Sequence, residues 1–176
     1  MATLLRRHPL VAGMLTYSSV WSLSSITQQK YISKHKVDYK VVARNVAVAT
    51  FMMAPLLHGW YRLMAIWSKG ARTWQWSIKI TVSEQVLFGP VITSVYFIGS
   101  GVLAGSSAQY IKNELVSKFP RVYLTACTFF PFVNFINHLY VPLRWKIIYQ
   151  AFASFIWSNF LCYMKEKKVM APSTSL

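Results

Sequence analysis

Five long apolar stretches follow one another along the chain, separated by short polar connections. The stretches are Leu10–Gln29, Val46–Trp67, Ile78–Leu103, Val122–Val141 and Trp145–Met164. Each is close to the ~20 residues that one helix needs to cross a bilayer. The connections are Lys30–Val42, Ser68–Ser77 and Gly105–Arg121, and none is long enough to hold a second folded unit. The pattern therefore predicts a single all-α domain, residues 1–176, built as a membrane-embedded helical bundle.

The last two stretches form one almost continuous apolar run from Val122 to Met164. At about twice the length of a single span, this run must hold two helices, or one span with a broken or re-entrant piece. Pro142, Arg144 and Lys146 interrupt it near its middle. We predict that these three residues mark the boundary between two helical pieces.

Two other stretches differ from a plain lipid-facing helix. The first is rich in serine, threonine and glutamine, including Ser25 and Gln29, so we expect it to pack against protein instead of lipid. The second ends in a cluster of aromatic residues that includes Trp60 and Tyr61. Such clusters are typical of the depth at which lipid headgroups lie.

Composition and charge support a membrane protein. With 55% hydrophobic and only 13% charged residues, the chain has too little polar surface to cover a soluble domain of its size. Nineteen Lys and Arg residues stand against four acids, which gives a net charge of +15. The cations are spread over every connection and no zinc, RRM or KH signature is present, which argues against nucleic-acid binding. Anionic lipids such as cardiolipin or phosphoinositides are the predicted counter-charge, at ~1 kcal/mol for each nearby basic residue.

Prolines lie in or beside four of the five stretches, at Pro55, Pro90, Pro131 and Pro142. A proline inside a helix removes one hydrogen bond and permits a bend. This distribution favours proline-broken helices around a cavity, and a straight, lipid-packed bundle is the alternative.

Gly101 and Gly105 form a GxxxG pair, a spacing that lets a second helix approach closely. Ordinary packing within the chain is the first interpretation, and contact between two copies in a homo-oligomer is the second. Basic residues are dense on both sides of any alternating topology, so the sequence leaves the orientation in the membrane undecided.

Glu84 is the strongest single candidate for a functional residue, because it is an acid inside an apolar stretch with Gln85 beside it. A charged group in hydrocarbon costs ~2.5–3.5 kcal/mol on insertion scales unless it meets water or a cation, so such residues mark functional sites by default. The alternative is an interfacial carboxylate that pairs with Lys79, five residues earlier, at the membrane edge.

Catalytic and metal-binding patterns are missing from the sequence. His58 and His138 are isolated, no third ligand stands at metal spacing, and no Ser-His-acid or Cys-His arrangement is recognisable. We therefore expect no enzymatic activity and no cofactor.

The C-terminal run contains a motif formed by Phe130, Pro131, Asn134, Asn137, Val141, Pro142, then Arg144 or Lys146, then Trp157 to Leu161. It resembles the motif of the Mpv-type family, which includes the peroxisomal membrane protein of twenty-two kilodaltons. The usual form is Trp-Pro-x-x-Gln-x-x-Asn-Phe-x-x-Val-Pro, a basic residue, and Trp-x-x-Tyr-Leu. Further agreement lies at Arg6 to Pro9, Ala54, Pro55, His58, Trp60, Tyr61, Glu84, Gln85 and Pro90.

The chain departs from the family pattern at several positions. Phe130 stands where the family usually has Trp, and Asn134 stands where it has Gln. Ser25 lies where family members commonly have an acid, so the first stretch of this chain supplies no carboxylate to accompany Glu84 of the third stretch. Within the family, Arg6 to Pro9 and the segment Phe160, Leu161 and Cys162 look most like the Mpv-like branch.

The resemblance implies four conventional spans in the mitochondrial inner membrane or, as the alternative, in the peroxisomal membrane. Members of the family are described as channel-forming, or as linked to reactive-oxygen metabolism and mitochondrial homeostasis.

Two functional interpretations follow. A channel-like pore for small solutes would use polar residues as its lining, whereas a non-conducting scaffold or regulatory protein would use them as helix contacts and would hold anionic lipid or protein partners with its cations. The candidate pore or helix-contact residues are Ser25, Gln29, Glu84, Gln85, Asn134, Asn137 and Arg144. The motif residues expected to be structural are Pro55, Trp60, Tyr61, Pro90, Pro131, Pro142 and Trp157.

Overall fold

Five long helices account for nearly all of residues 9–34, 36–68, 73–140 and 146–167, the part of the chain that the computed structural model describes. They are α1 (Pro9–Thr27, continued by the π-helical turn Gln28–Ile32), α2 (Tyr39–Ala47, Val48–Met53 and Ala54–Ser68), α3 (Trp74–Ser83, Glu84–Phe88 and Gly89–Leu103), α4 (Ala108–Leu139) and α5 (Lys146–Glu166). The middle segments of α2 and α3 are π-helical turns inside otherwise continuous helices. Each predicted apolar stretch corresponds to one helix, and the described residues contain no strand.

The helices form a closed ring, because each contacts its neighbours in chain order and α5 returns to α1. One cavity is lined by the first halves of α1, α3 and α5 and by the second halves of α2 and α4, so successive helices are antiparallel. The bundle therefore has two ends. We call the end where α1, α3 and α5 begin the Glu84 end, and the opposite end the Glu114 end.

Large aromatic side chains fill the centre of the ring. Trp21, Tyr96 and Phe97 are almost completely buried there. The ring centroids of Trp21 and Tyr96 are 5.0 Å apart, and those of Tyr96 and Phe97 are 5.5 Å apart. This packing separates the interior of the Glu84 end from that of the Glu114 end.

The outer surface of the ring is apolar. Tyr39–Trp67 and Trp74–Leu103 are long and apolar enough to cross a membrane, and only 33% of the apolar window of each is buried. Phe51, Ile66 and Phe132 are each about 70% exposed on the outside. A soluble protein would not leave such a surface in water, whereas lipid tails cover it at no cost.

Helix α4 begins well before Val122, the first residue of the apolar stretch from which the helix was predicted. The prediction of a connection over Gly105–Arg121 is wrong, since α4 already starts at Ala108. The Ser107 hydroxyl oxygen caps this start by accepting a hydrogen bond from the Tyr110 N–H at 3.2 Å. The segment is polar because its helical surface is amphipathic, and it turns Glu114 into the protein.

The expected helix breaks at Pro55, Pro90 and Pro131 are not found, because all three lie within continuous helices. In α2 and α3 a π-helical turn immediately precedes the proline. There the Ala54 and Gly89 N–H groups bond to carbonyls five residues back, which widens the turn where the proline ring would clash with a carbonyl. The extra residue in the turn thus accommodates a proline without ending the helix.

The predicted division of the C-terminal run is confirmed. Helix α4 ends at Leu139 and α5 begins at Lys146. Pro142 and Arg144 lie between these helices, outside the described residues.

Candidate functional site

A cavity of about 510 Å³ lies among all five helices at the Glu84 end. We call it the outer cavity. Its polar lining consists of Thr16, Tyr17, Tyr61, Glu84, Asn134, Asn137, Gln150 and Ser154. The rest of the wall is aliphatic, so a few polar groups converge in a mostly apolar space of the size typical for small-molecule sites.

Glu84 supplies the charge of the outer cavity. It is the first residue of the π-helical turn in α3, a kind of turn that is frequent at functional sites. Its Oε2 accepts a hydrogen bond from Asn134 Nδ2 of α4 at 2.8 Å. No lysine or arginine of the described part of the chain forms an ion pair with it, and Lys79 instead places its ammonium 5.8 Å from the Trp76 ring centroid. The predicted alternative, a carboxylate paired with Lys79, is therefore not observed.

Two side-chain amides add hydrogen-bond acceptors beside this carboxylate. Asn137 Nδ2 donates to Gln150 Oε1 at 3.2 Å, which ties α4 to α5. The Asn137 Oδ1 atom and the Gln85 Oε1 atom are buried and have no hydrogen-bond partner in the described part of the chain. Buried acceptors without a partner are costly, so these oxygens are suited to a ligand or water that donates hydrogen bonds.

A smaller cavity of about 100 Å³ lies beside the outer cavity and shares six lining residues with it: Tyr17, Tyr61, Glu84, Asn134, Gln150 and Ser154. We call it the inner chamber. Its other aromatic walls are Trp21, Trp60, Phe88, Phe130 and Trp157. The buried core behind Trp21 closes it toward the Glu114 end. The Glu84 carboxylate therefore stands where the outer cavity meets the aromatic inner chamber.

Ser25 and Gln29 are placed away from this cavity, toward the Glu114 end. The Ser25 hydroxyl oxygen accepts a hydrogen bond from Asn45 Nδ2 of α2 at 3.1 Å. Gln29 Oε1 accepts one from the Asp38 N–H at 2.6 Å, just before α2 begins. Both side chains are buried. In this structure they are contacts between helices, whereas Glu84, Gln85, Asn134 and Asn137 line cavities.

A buried ion cluster at the Glu114 end was missed by sequence reasoning. Glu114 is 1% exposed, and its two carboxylate oxygens pair with Lys118 and with Lys165. The Lys118 ammonium lies 2.8 Å from Glu114 Oε1 and also donates to the Lys165 carbonyl at 2.8 Å. The spacing of Glu114 and Lys118, four residues apart, indicates a helical pair, but the polar segment had been interpreted as a connection.

Two of the motif residues, Trp157 and Trp60, pack against aromatic rings of neighbouring helices. Trp157 of α5 packs against Phe130 with ring centroids 4.8 Å apart and rings tilted by 62°. Trp60 stacks on Phe88 at 4.9 Å, so its ring lies against the inner chamber and not only at the protein's edge. Pro131 lies inside α4.

Sequence reasoning also overlooked Tyr17, Gln150 and Ser154 as lining residues. For α5 a signal was available, because Gln150, Ser154 and Trp157 recur at a spacing of four and three residues and so share one helix face. For Tyr17 the semi-polar first stretch carries no comparable signal. Within the described residues, no group of three or more His, Cys, Asp or Glu side chains is placed to hold a metal ion.

The family model that matches this chain is that of the Mpv17 / PMP22 family, over residues 101–162. The match covers α4 and most of α5, including the residues of the C-terminal motif.

Relatives resemble the chain over nearly its whole length. It is 29% identical to the peroxisomal membrane protein PMP22 of Arabidopsis thaliana, an alignment that covers 95% of this chain and 88% of the relative. It is 27% identical to an Mpv17-like protein of Bos taurus, over 92% and 80% respectively. It is 24% identical to the mitochondrial inner membrane protein Mpv17 of Caenorhabditis briggsae, over 98% and 94%. No solved structure matches the chain.

Proposed function

We propose that this chain, which is similar to the Mpv17 / PMP22 family over residues 101–162, forms a channel-like pathway for small solutes across an organellar membrane. Relatives are named for the mitochondrial inner membrane and for the peroxisomal membrane. We propose the mitochondrial inner membrane as the location of this chain, with the peroxisomal membrane as the alternative. Fractionation of the tagged protein combined with protease protection tests the location and also the orientation of the termini.

The observation that carries the proposal is the outer cavity. A bundle that served only as a membrane anchor would bury its polar groups in helix contacts, as Ser25 and Gln29 are buried here. At the Glu84 end the polar groups instead line a space of about 510 Å³, and the Glu84 carboxylate has no cationic partner in the described part of the chain. Intramembrane carboxylates of this kind mark solute pathways.

The pathway is closed in this arrangement, because Trp21, Tyr96 and Phe97 fill the centre of the ring. Conduction then requires these side chains or their helices to move, which makes the outer cavity the vestibule of a gated pathway. Two of the helices that carry the core contain wide π-helical turns, which are natural points for such a rearrangement.

Purified protein reconstituted into planar bilayers tests the proposal. We expect conductance above that of protein-free bilayers and a reversal potential in a salt gradient that shows a preference for cations, because one carboxylate lines the vestibule. Glu84→Gln keeps the shape and the acceptor for Asn134, and it should remove that preference. Asn113→Ala is the matched control, since Asn113 is exposed on α4 at the Glu114 end and should leave both quantities unchanged.

Two results would contradict a pathway through this cavity. One is the absence of conductance above protein-free bilayers in protein that is folded by size-exclusion chromatography. The other is a Glu84→Gln variant with the conductance and reversal potential of the original chain.

A second candidate function is a non-conducting scaffold that holds anionic lipid. The buried hydrogen bonds between α1, α2 and α5 favour it, as does the net charge of +15. It predicts that cardiolipin, but not phosphatidylcholine, raises the melting temperature of the delipidated protein, and that salt weakens the effect. Equal stabilisation by the two lipids would contradict it.

A further inference from the structure

We propose that the inner chamber binds a small alkylammonium cation, with the positive group held between the Glu84 carboxylate and the surrounding aromatic rings. The inference deepens the proposed function, because it names the class of ligand that the vestibule would admit. It rests on three features of the chamber: its aromatic side chains, its carboxylate and its unpartnered hydrogen-bond acceptor.

Seven of the eighteen residues that line the chamber are aromatic, and they come from all five helices. Trp60 of α2 and Phe88 of α3 stack with centroids 4.9 Å apart and ring planes 19° apart. Phe130 of α4 and Trp157 of α5 meet at 4.8 Å and 62°, so that one ring presents its edge to the face of the other. Both pairs line the same chamber. Faces of Trp and Phe attract cations within about 6 Å of the ring centroid, most strongly where water is excluded.

The charge of the chamber also favours a cationic ligand. Glu84 is the one ionisable acid or base among its described lining residues apart from Tyr17 and Tyr61. An anionic solute would meet this carboxylate without any lysine or arginine to offset it. A purely apolar ligand would leave the carboxylate buried without a counter-charge, which is costly. A metal ion would find a single carboxylate, too few ligands for a calcium or zinc site.

An unpartnered polar atom refines the class of ligand. Gln85 Oε1 is a buried acceptor that has no partner within the described residues. An ammonium group with a short hydroxyl-bearing arm would satisfy this acceptor and the carboxylate together. The chamber of about 100 Å³ limits the cation to a small one, and the outer cavity of about 510 Å³ gives it a route of entry.

Titration calorimetry on the purified full chain in a non-ionic detergent tests the inference without requiring transport. Choline is the probe, and the comparison is its uncharged analogue, in which carbon replaces the ammonium nitrogen. We expect choline to bind about tenfold or more tightly than the analogue, because only the cation gains from Glu84 and the ring faces. Equal binding of the two, or binding of neither, would overturn the proposal on the original chain alone.

Variants identify the chamber as the site. Glu84→Gln should weaken choline binding by about tenfold or more, whereas Glu166→Gln removes a carboxylate at the opposite end and should not. Phe130→Trp should also abolish binding, since the larger ring fills the chamber while the carboxylate stays. Should Glu84→Gln not fold, the Phe130→Trp result decides. Unchanged affinity in either folded variant would overturn the assignment.

The ammonium group could belong to a free solute or to a lipid headgroup. Competition by short-chain phosphatidylcholine but not by short-chain phosphatidylglycerol would assign the chamber to the headgroup, and binding of free choline alone would assign it to a solute. Both results support ammonium recognition. The two proposals can fail separately. A chain that conducts but does not prefer choline overturns only the ammonium site, and a chain that binds choline but does not conduct overturns only the channel.

Discussion

Replacing Glu114 with glutamine should be among the most damaging single changes in the chain. The carboxylate is 1% exposed and neutralises two lysines, Lys118 at 5% and Lys165 at 19% exposure. After the change the ammonium groups keep uncharged acceptors, among them the Lys165 carbonyl at 2.8 Å and the Phe97 carbonyl at 3.4 Å, but they lose their negative counter-charge. Removing one partner of a buried ion pair costs ~3–5 kcal/mol, and the partial exposure of Lys165 argues for the lower value. We therefore expect about 3 kcal/mol, a change of about a hundredfold in the folding equilibrium.

The measurement is reversible denaturation in mixed detergent micelles, followed by tryptophan fluorescence. Glu166→Gln is the control, since its exposed carboxylate also bonds across helices and should cost about 1 kcal/mol or less. In the double variant Glu114→Gln with Lys118→Met the loss should be smaller than the sum of the single losses, because the second change removes a charge that the first left unpaired. A Glu114→Gln cost within ~1 kcal/mol of the control, or strict additivity, would refute the reasoning.

Three further changes test the packing. Asn45→Ala should lower the free energy of unfolding by ~1–3 kcal/mol, because the Asn45 amide is buried and donates a hydrogen bond to Ser25 of α1. The same variant should leave bilayer conductance unchanged, and an altered conductance would contradict a purely structural role. Gly101→Ala should lower the free energy of unfolding by ~1–2 kcal/mol, since a Cβ there would lie 2.6 Å from Ile111 Cγ1. In chemical denaturation, the double variant Gly101→Ala with Ile111→Ala should lose less stability than the sum of the two single losses, because the smaller side chain removes the clash. Gly105→Ala should cost ~1 kcal/mol in the same assay, because the residue ends α3 at φ +69°, while Gly105→Asn should cost less; equal costs would contradict the backbone argument.

The GxxxG pair shows how one sequence signal can carry two structural meanings. Gly101 faces Ile111 of α4, so it permits close packing within the chain, which was the first interpretation. A Cβ added at Gly105 would meet no atom of the described residues within 4 Å, and Gly105 instead ends α3, where the Ser106 N–H bonds to the Gly101 carbonyl at 3.0 Å. Together with the Ser107 cap, this turn is the local signal that places the start of α4 before the apolar run.

Much of the architecture could be predicted because lipid punishes exposed polar backbone and favours long helices. The five apolar stretches each became a helix, and the division of the C-terminal run between Leu139 and Lys146 followed from its polar interruption. The helix breaks expected at Pro55 and Pro90 could not be judged from the sequence, because a π-helical turn is set by how neighbouring helices pack and leaves no residue pattern of its own.

By itself the sequence determined the class of protein and the number of long helices, and it singled out Glu84 and the motif that resembles the family's. Only the tertiary structure decided which polar residues share a space. Asn134 reaches Glu84 across 50 residues of sequence, whereas Ser25 and Gln29, equally polar and equally placed in an apolar stretch, are used up in contacts with Asn45 and Asp38. The physical reason is that hydrophobicity sets whether a helix forms and enters the membrane, but the rotation of each helix against its neighbours depends on side-chain packing between segments far apart in sequence.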